Sequence, residues 1–135
     1  MTHRGQECAG ARPLGRWNAE VERRGRWTAS VFHFAADGTA LLLEGGPGEG
    51  RWTDLGAGRF AFRVVEPLYG HDGRGTGRVV IEQTAVLAGP SFTSTGLSTV
   101  HDDRGRVLRR LRVRITATAV SGGGAAESVA GAAVE

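Results

Sequence analysis

The residues best suited to acid–base chemistry fall in the second half of the sequence. Histidine titrates near neutral pH, and a carboxyl or phenol group can exchange a proton once its surroundings shift its pKa. Arg109 interrupts an apolar alternation between Val107 and Leu111, where an inward guanidinium requires an ion pair or an anionic ligand. An ion pair with Glu66 or Asp102 is the structural alternative to a ligand contact. The candidate catalytic residues are Glu66, Tyr69, His71, His101 and Arg109.

A hairpin at residues 77–100 predicts how further polar groups are positioned. Its two halves alternate with a period of two, which is typical of two long strands, and a tight turn at residues 88–91 joins them. One face of the second strand consists mostly of small side chains. Because small inward side chains leave space inside a barrel, the pattern predicts a hollow lined by Gln83, Ser94 and Ser98.

Six further segments alternate in the same way, and short links join them. Trp17 and Val21, for example, face away from Asn18 and Glu20. The fourth segment is predicted as a short strand at residues 51–53. The pattern predicts an all-β fold, namely an eight-stranded antiparallel up-and-down barrel with a central cavity. A β-sandwich is the alternative, and it is disfavoured because no link is long enough to cross between sheets. The predicted domains are a flexible leader (1–13), the barrel (14–120) and a flexible tail (121–135).

Alternating strand direction assigns the links to the two ends of the predicted barrel. The longest links, read as loops at residues 45–50 and 66–75, fall at one end and predict its open mouth. For the polar residues, the structural alternative to ligand contact is hydrogen bonding to one another or to trapped water. For the aromatic residues, the alternative is core packing. The candidate ligand-binding residues are Ser30, Phe32, Trp52, Phe62, Gln83, Ser94 and Ser98.

Composition narrows the classes of partner and compartment. All 17 basic residues are arginine and the formal net charge is +3, but no nucleic-acid motif accompanies them, so no nucleic acid is predicted. No apolar run reaches the length of a membrane span, and the single cysteine, Cys8, favours a cytoplasmic location. Metal-ligand spacing and phosphate-binding glycine motifs are missing from the sequence, so no metal and no cofactor are predicted. A homodimer stays an open alternative.

The last predicted strand carries arginines at its outward positions. Arg106, Arg110, Arg112 and Arg114 alternate with apolar residues over this segment. Such a run is typical of a solvated outer face that keeps a sheet from pairing edge to edge. Contact with an acidic partner is the alternative.

The order of several short motifs resembles a known group of barrels. A Gly-x-Trp triplet opens the first strand, as in lipocalins, and the wider pattern resembles small actinobacterial lipocalin-like (calycin) proteins over residues 14–120. It is similar in outline to allene oxide cyclase-like and polyketide cyclase barrels. Lipocalins also place an arginine late in the last strand, whereas this chain has Thr116 and Thr118 there. The motifs are Gly15-x-Trp17, Asp37-Gly38-Thr39, Gly50-x-Trp52, Gly58-Arg59-Phe60-x-Phe62 and Asp103-x-Gly105.

Three functions are therefore expected from different classes. The first is binding of an apolar, partly oxygenated small molecule inside the barrel, with a role in secondary metabolism implied by the resemblance. The second is a cofactor-free cyclase or isomerase of a polyketide-like intermediate, which would gain rate from orientation and exclusion of water. The third is an interaction module that uses the arginine-rich outer strand.

Overall fold

Eight antiparallel strands close into a barrel in chain order. The structure is a computed structural model that describes residues 11–44 and 47–120. The predicted fold class is confirmed, and none of the described residues belongs to a helix of the length and hydropathy needed to cross a membrane. The strands are β1 (Gly15–Arg23), β2 (Arg26–Phe34), β3 (Thr39–Glu44), β4 (Gly48–Gly56), β5 (Arg59–Tyr69), β6 (Gly75–Ala88), β7 (Ser91–Asp102) and β8 (Val107–Ala119).

Side-chain alternation explains why these segments form a closed sheet. In β1 the side chains of Trp17, Ala19 and Val21 are buried, while the residues between them are exposed. The barrel closes where β1 pairs with β8, from Trp17 opposite Ala119 to Arg23 opposite Val113. One row of alternate side chains per strand therefore faces a common interior.

One end of the barrel is filled by aromatic rings, which we call the aromatic plug. The ring centroids of Phe34 and Phe62 lie 5.1 Å apart, and those of Phe60 and Phe92 lie 5.2 Å apart. The predicted hollow is therefore wrong for this half of the interior, because large rings from other strands occupy the space beside the small residues of β7. The plug consists of Trp17, Phe32, Phe34, Trp52, Phe60, Phe62 and Phe92.

At this closed end, the indole N–H groups of two tryptophans donate hydrogen bonds to backbone carbonyls. The Trp17 Nε1–H donates to the Pro13 carbonyl at 2.8 Å, and the Trp52 Nε1–H donates to the Ala35 carbonyl at 2.7 Å. Pro13 is fully buried, so the closed end includes a residue that was predicted to belong to the flexible leader. Residues 11 and 12 of that leader are also described, whereas residues 1–10 and the predicted tail, residues 121–135, lie outside the described residues.

Two strands are longer than predicted. β4 covers Gly48–Gly56 rather than residues 51–53 alone, and β5 continues to Tyr69, so Glu66 and Tyr69 lie on a strand and not in a loop. Pro67 suggested a loop because proline cannot donate to a sheet ladder. Among the described residues the β4–β5 ladder ends at Glu49 opposite Val65, so the end of β5 that contains Pro67 pairs with β6 alone.

Candidate functional site

A pocket of about 300 Å³ occupies the interior between the aromatic plug and the mouth. We define the mouth as the barrel end that carries the β1–β2, β3–β4, β5–β6 and β7–β8 links, which is the end predicted from the sequence. The predicted ligand-binding residues Ser30 and Phe32 line the pocket, and Phe32 is the residue of the aromatic plug that does so. The lining residues are Val21, Arg23, Thr28, Ala29, Ser30, Phe32, Leu42, Ile81, Val113 and Ile115.

Arg23 brings a guanidinium to the wall of this pocket. It follows Trp17, Ala19 and Val21 in the inward register of β1 and is half-buried. Its Nη1 donates a long hydrogen bond of 3.4 Å to the hydroxyl of Thr28, and no carboxylate of a described residue lies within ion-pair distance. A cationic group without a close counter-ion on an apolar wall can receive an anionic or strongly polarised ligand oxygen.

Glu66 is a half-buried carboxylate at this mouth. It continues the inward register of Phe60, Phe62 and Val64 on β5 and is half-buried. Burial raises the pKa of the Glu66 carboxyl, and the positive charge of Arg23 opposes that rise. The two groups therefore influence each other without forming a direct ion pair, and Glu66 holds its proton to higher pH than an exposed glutamate would.

The raised pKa of Glu66 predicts a definite pH dependence of stability. The folded protein binds this proton more tightly than the unfolded chain, so stability falls as pH rises from about 4.3, the ordinary pKa of glutamate, through the folded pKa. In Glu66→Gln that fall is expected to disappear, so that the variant gains stability relative to wild type on going from pH 4 to pH 7. Urea unfolding at several pH values in this range measures the free energy of unfolding of both proteins. A difference between wild type and Glu66→Gln that does not change with pH would contradict the prediction.

Arg109 lies at the opposite side of the same mouth. Glu66 is paired across the sheet with Val79, Val79 with Val100, and Val100 with Arg109. Glu66 and Arg109 are therefore the first and last residues of one row on the inward face. Arg109 is exposed, and the ion pair predicted for it with Glu66 or Asp102 is absent from the described residues. Asp102 instead binds Arg106, with Nε and Oδ2 2.9 Å apart. Arg109 can meet a ligand only above the pocket.

The other three candidate catalytic residues do not join this group. His101 lies one position after the inward Val100, and its Nδ1 is 3.2 Å from the Gly105 carbonyl oxygen, which turns it toward the β7–β8 turn. His71 lies in the exposed β5–β6 turn, and Tyr69 is 63% exposed. The structure therefore gathers Glu66 and Arg23 near the pocket and leaves these three side chains outside it.

Of the three deeper polar candidates, Gln83 and Ser94 are joined by a hydrogen bond, and Ser98 is not part of this pair. Ser94 Oγ donates to Gln83 Oε1 at 2.6 Å, and Gln83 Nε2 donates to the Val113 carbonyl at 3.3 Å. This matches the structural alternative of mutual pairing. Ser98, which is 2% exposed and lies between Ile81 and Leu111 on the inward face, has a hydroxyl with no hydrogen-bond partner among the described residues.

The two remaining candidates, Trp52 and Phe62, belong to the aromatic plug. Phe62 packs behind Phe32, with ring centroids 5.4 Å apart, and Trp52 packs on Phe60 at 6.4 Å. Neither lines the pocket, so their role is core packing. Arg23 was the residue missed, since an Arg-Arg-Gly turn concealed that the alternation of β1 extends to it.

Comparisons with family models, curated proteins and solved structures found no match to this chain. Within residues 11–44 and 47–120, no three His, Cys, Asp or Glu side chains come together in a way that could hold a metal ion. The candidate site therefore consists of the pocket, its apolar lining and the charged side chains at its mouth.

Proposed function

We propose that this protein binds a small apolar molecule that carries one oxygenated, anionic end. The observation that carries the proposal is the pocket of about 300 Å³, whose wall is mostly hydrocarbon and includes the guanidinium of Arg23. Its volume lies at the lower limit of small-molecule pockets, ~300–1000 Å³. A compact or slender ligand fits this description better than a large ring system.

Apolar burial supplies the affinity in this proposal. A ligand that buries roughly 200 Å² of apolar surface against Val21, Phe32 and Ile81 would gain about 5 kcal/mol at ~25 cal/mol per Å², before association costs are subtracted. Phe32 provides a rigid base for the ligand because the plug holds its ring from behind. The pocket therefore selects ligands by length and width.

Charge at the mouth sets the orientation of the ligand. With its apolar end on Phe32, the polar end lies near Arg23, while Arg109 adds a second positive charge above the pocket. Glu66 competes for Arg23 when it is ionised, so its protonation favours an anionic ligand. Ser30 offers a hydroxyl on the wall between these two ends.

A displacement experiment tests the proposal. The anionic dye 1-anilinonaphthalene-8-sulfonate serves as the fluorescent probe, and hexanoate, octanoate, decanoate and the matching alcohols compete with it. We expect each carboxylate to displace the dye better than its alcohol. Ser30→Phe is expected to weaken dye and decanoate binding by about tenfold or more, or ~1.4 kcal/mol, because the ring occupies the pocket. Arg23→Gln is expected to reduce the preference for carboxylate over alcohol.

Thr116→Phe is the matched control for Ser30→Phe. Thr116 is exposed on the outer face of β8, so the same aromatic group is added without entering the barrel. Thermal unfolding checks that both variants fold. Equal dye affinity in the two variants, or failure of every competitor to displace the dye, would show that binding does not occur in the pocket.

A cofactor-free cyclase or isomerase is the second candidate. The observation that favours it is Glu66, a half-buried carboxyl with a raised pKa near the charge of Arg23. Such a group can move a proton while a guanidinium stabilises developing oxygen charge. Turnover of a linear polyketide-like precursor that is lost in Glu66→Gln, while dye binding persists, would support catalysis; unchanged turnover would exclude this residue as the proton carrier.

A further inference from the structure

The mouth half of β8 has an unpaired edge. β7 pairs with β8 from His101 opposite Val107 onward, but β1 joins β8 only at Arg23 opposite Val113. Residues 107–112 thus have a strand neighbour on one side alone among the described residues. Six residues at ~3.3 Å each form an edge of about 20 Å, whose alternate backbone N–H and C=O groups are free to pair with another chain.

The corresponding edge of β5 is less suited than the β8 edge to an added strand. Beyond Val65, where the β4–β5 ladder ends, β5 carries Pro67, and proline cannot donate to an added strand. The β8 edge contains no proline. It carries exposed Val107 and Leu108, the latter 63% exposed, together with three arginines.

Charge determines which chain this edge can accept. The sequence of residues 107–112 is Val-Leu-Arg-Arg-Leu-Arg, with no acidic residue. Arg114 is paired with Glu22, the closest N···O distance being 2.8 Å, whereas neither Arg110 nor Arg112 has an ion pair with a described residue. Pairing of this edge with a second copy would bring like charges together, which opposes self-association.

A groove beside the edge completes the surface. Its lining includes Arg24 and Gly25 of the β1–β2 turn, which face Arg110, Leu111 and Arg112 of β8, and its volume is about 580 Å³. The turn places a further guanidinium near the end of the unpaired edge. An added strand would therefore meet free backbone groups along its length and positive charge beside them.

We propose that residues 107–112 bind an extended acidic peptide of a partner protein as an added β-strand. Main-chain hydrogen bonds to the β8 edge fix the peptide, and its carboxylates pair with Arg110 and Arg112 on the outer face. Arg110 and Arg112 lie outside the pocket wall, so this inference does not depend on the ligand proposed for the pocket. The proposed partner of the arginine-rich strand is thus an acidic peptide.

A labelled hexapeptide of alternating glutamate and valine tests the proposal by fluorescence anisotropy at low salt. Binding to the whole protein is expected, with an affinity at least about tenfold above that of the lysine–valine peptide. The double variant Arg110→Gln/Arg112→Gln is expected to lose this preference. Arg16→Gln/Arg59→Gln, which removes two exposed arginines elsewhere on the barrel, is the matched control and is expected to bind like wild type.

Two further measurements separate strand addition from charge attraction alone. Peptides N-methylated at alternate positions, in both registers, cannot form the full ladder, so at least one register is expected to bind about tenfold more weakly. Hydrogen exchange of residues 107–112 is expected to slow in the complex. Equal binding of both N-methylated peptides, tighter binding of a single-stranded oligonucleotide, or dimerisation that protects this same segment would each overturn the proposal.

Discussion

Replacing Phe34 by alanine is expected to lower the free energy of unfolding by about 3–5 kcal/mol. Phe34 has no exposed surface and its ring contacts four other rings. The centroids of Phe62 and Phe60 lie 5.1 and 5.4 Å away, and those of Phe92 and Phe32 lie 6.2 and 6.3 Å away. The alanine would leave a cavity that four rings, held by the three strands β2, β5 and β7, cannot collapse to fill.

Urea unfolding of matched variants measures this effect. Phe34→Leu keeps most of the buried volume and is expected to cost less than half as much as the alanine. Val86→Ala, at a position 48% exposed on the outer face of β6, controls for removal of apolar surface and is expected to change stability little. A loss below about 1 kcal/mol in Phe34→Ala would mean that the plug relaxes, contrary to its close packing.

Gly96→Ala is expected to lower the free energy of unfolding by about 3 kcal/mol. A Cβ at Gly96 would lie 1.8 Å from the Glu82 carbonyl oxygen of the neighbouring strand. Because backbone atoms cannot turn away as a flexible side chain can, β6 and β7 would have to separate. Gln83 pairs across from Gly96 and Val113 lies on its other side, so the movement would also strain the Gln83–Val113 hydrogen bond.

Gly75→Ala is the matched control for this substitution. Gly75 lies in β6, the strand that pairs with β7, but a Cβ there would meet only the Leu68 carbonyl oxygen at 4.0 Å, an ordinary contact. Thermal unfolding should therefore separate the two alanine variants clearly. If both changed the melting temperature by the same small amount, close approach of β6 and β7 at Gly96 would not be a structural requirement.

Hydrophobic alternation was sufficient to predict the fold because it reports directly which side chains face the interior. The eight strands and their order follow from it, together with the short links between them. Alternation does not report how much space remains between inward side chains. Small residues of β7 such as Ser94 and Gly96 suggested an open interior, whereas Phe34 and Phe60 from other strands fill that half.

Only some residues of the candidate site could be predicted from the sequence. Ser30 and Phe32 were identified because they lie in an inward register, and Glu66 because it was assigned to a mouth loop, although it lies on β5. Arg23 was hidden by the turn signal that follows it. Extending the β1 alternation by two residues would have located it. Nothing in the sequence distinguishes Ser98, whose hydroxyl has no partner among the described residues, from Ser94, because partnering depends on side chains brought together by the fold.

The division of the interior into an aromatic plug and a pocket has a kinetic consequence. Elements with the densest apolar packing open only with global unfolding, whereas those with unpaired edges and fewer buried contacts open locally. Phe34 and Phe60 thus anchor the closed half, while Arg23 and the unpaired edge of β8 lie in the half that can fluctuate. The mouth half is therefore expected to open by local strand motions while the plug keeps the barrel closed, and the ligand proposed above would exchange on that timescale.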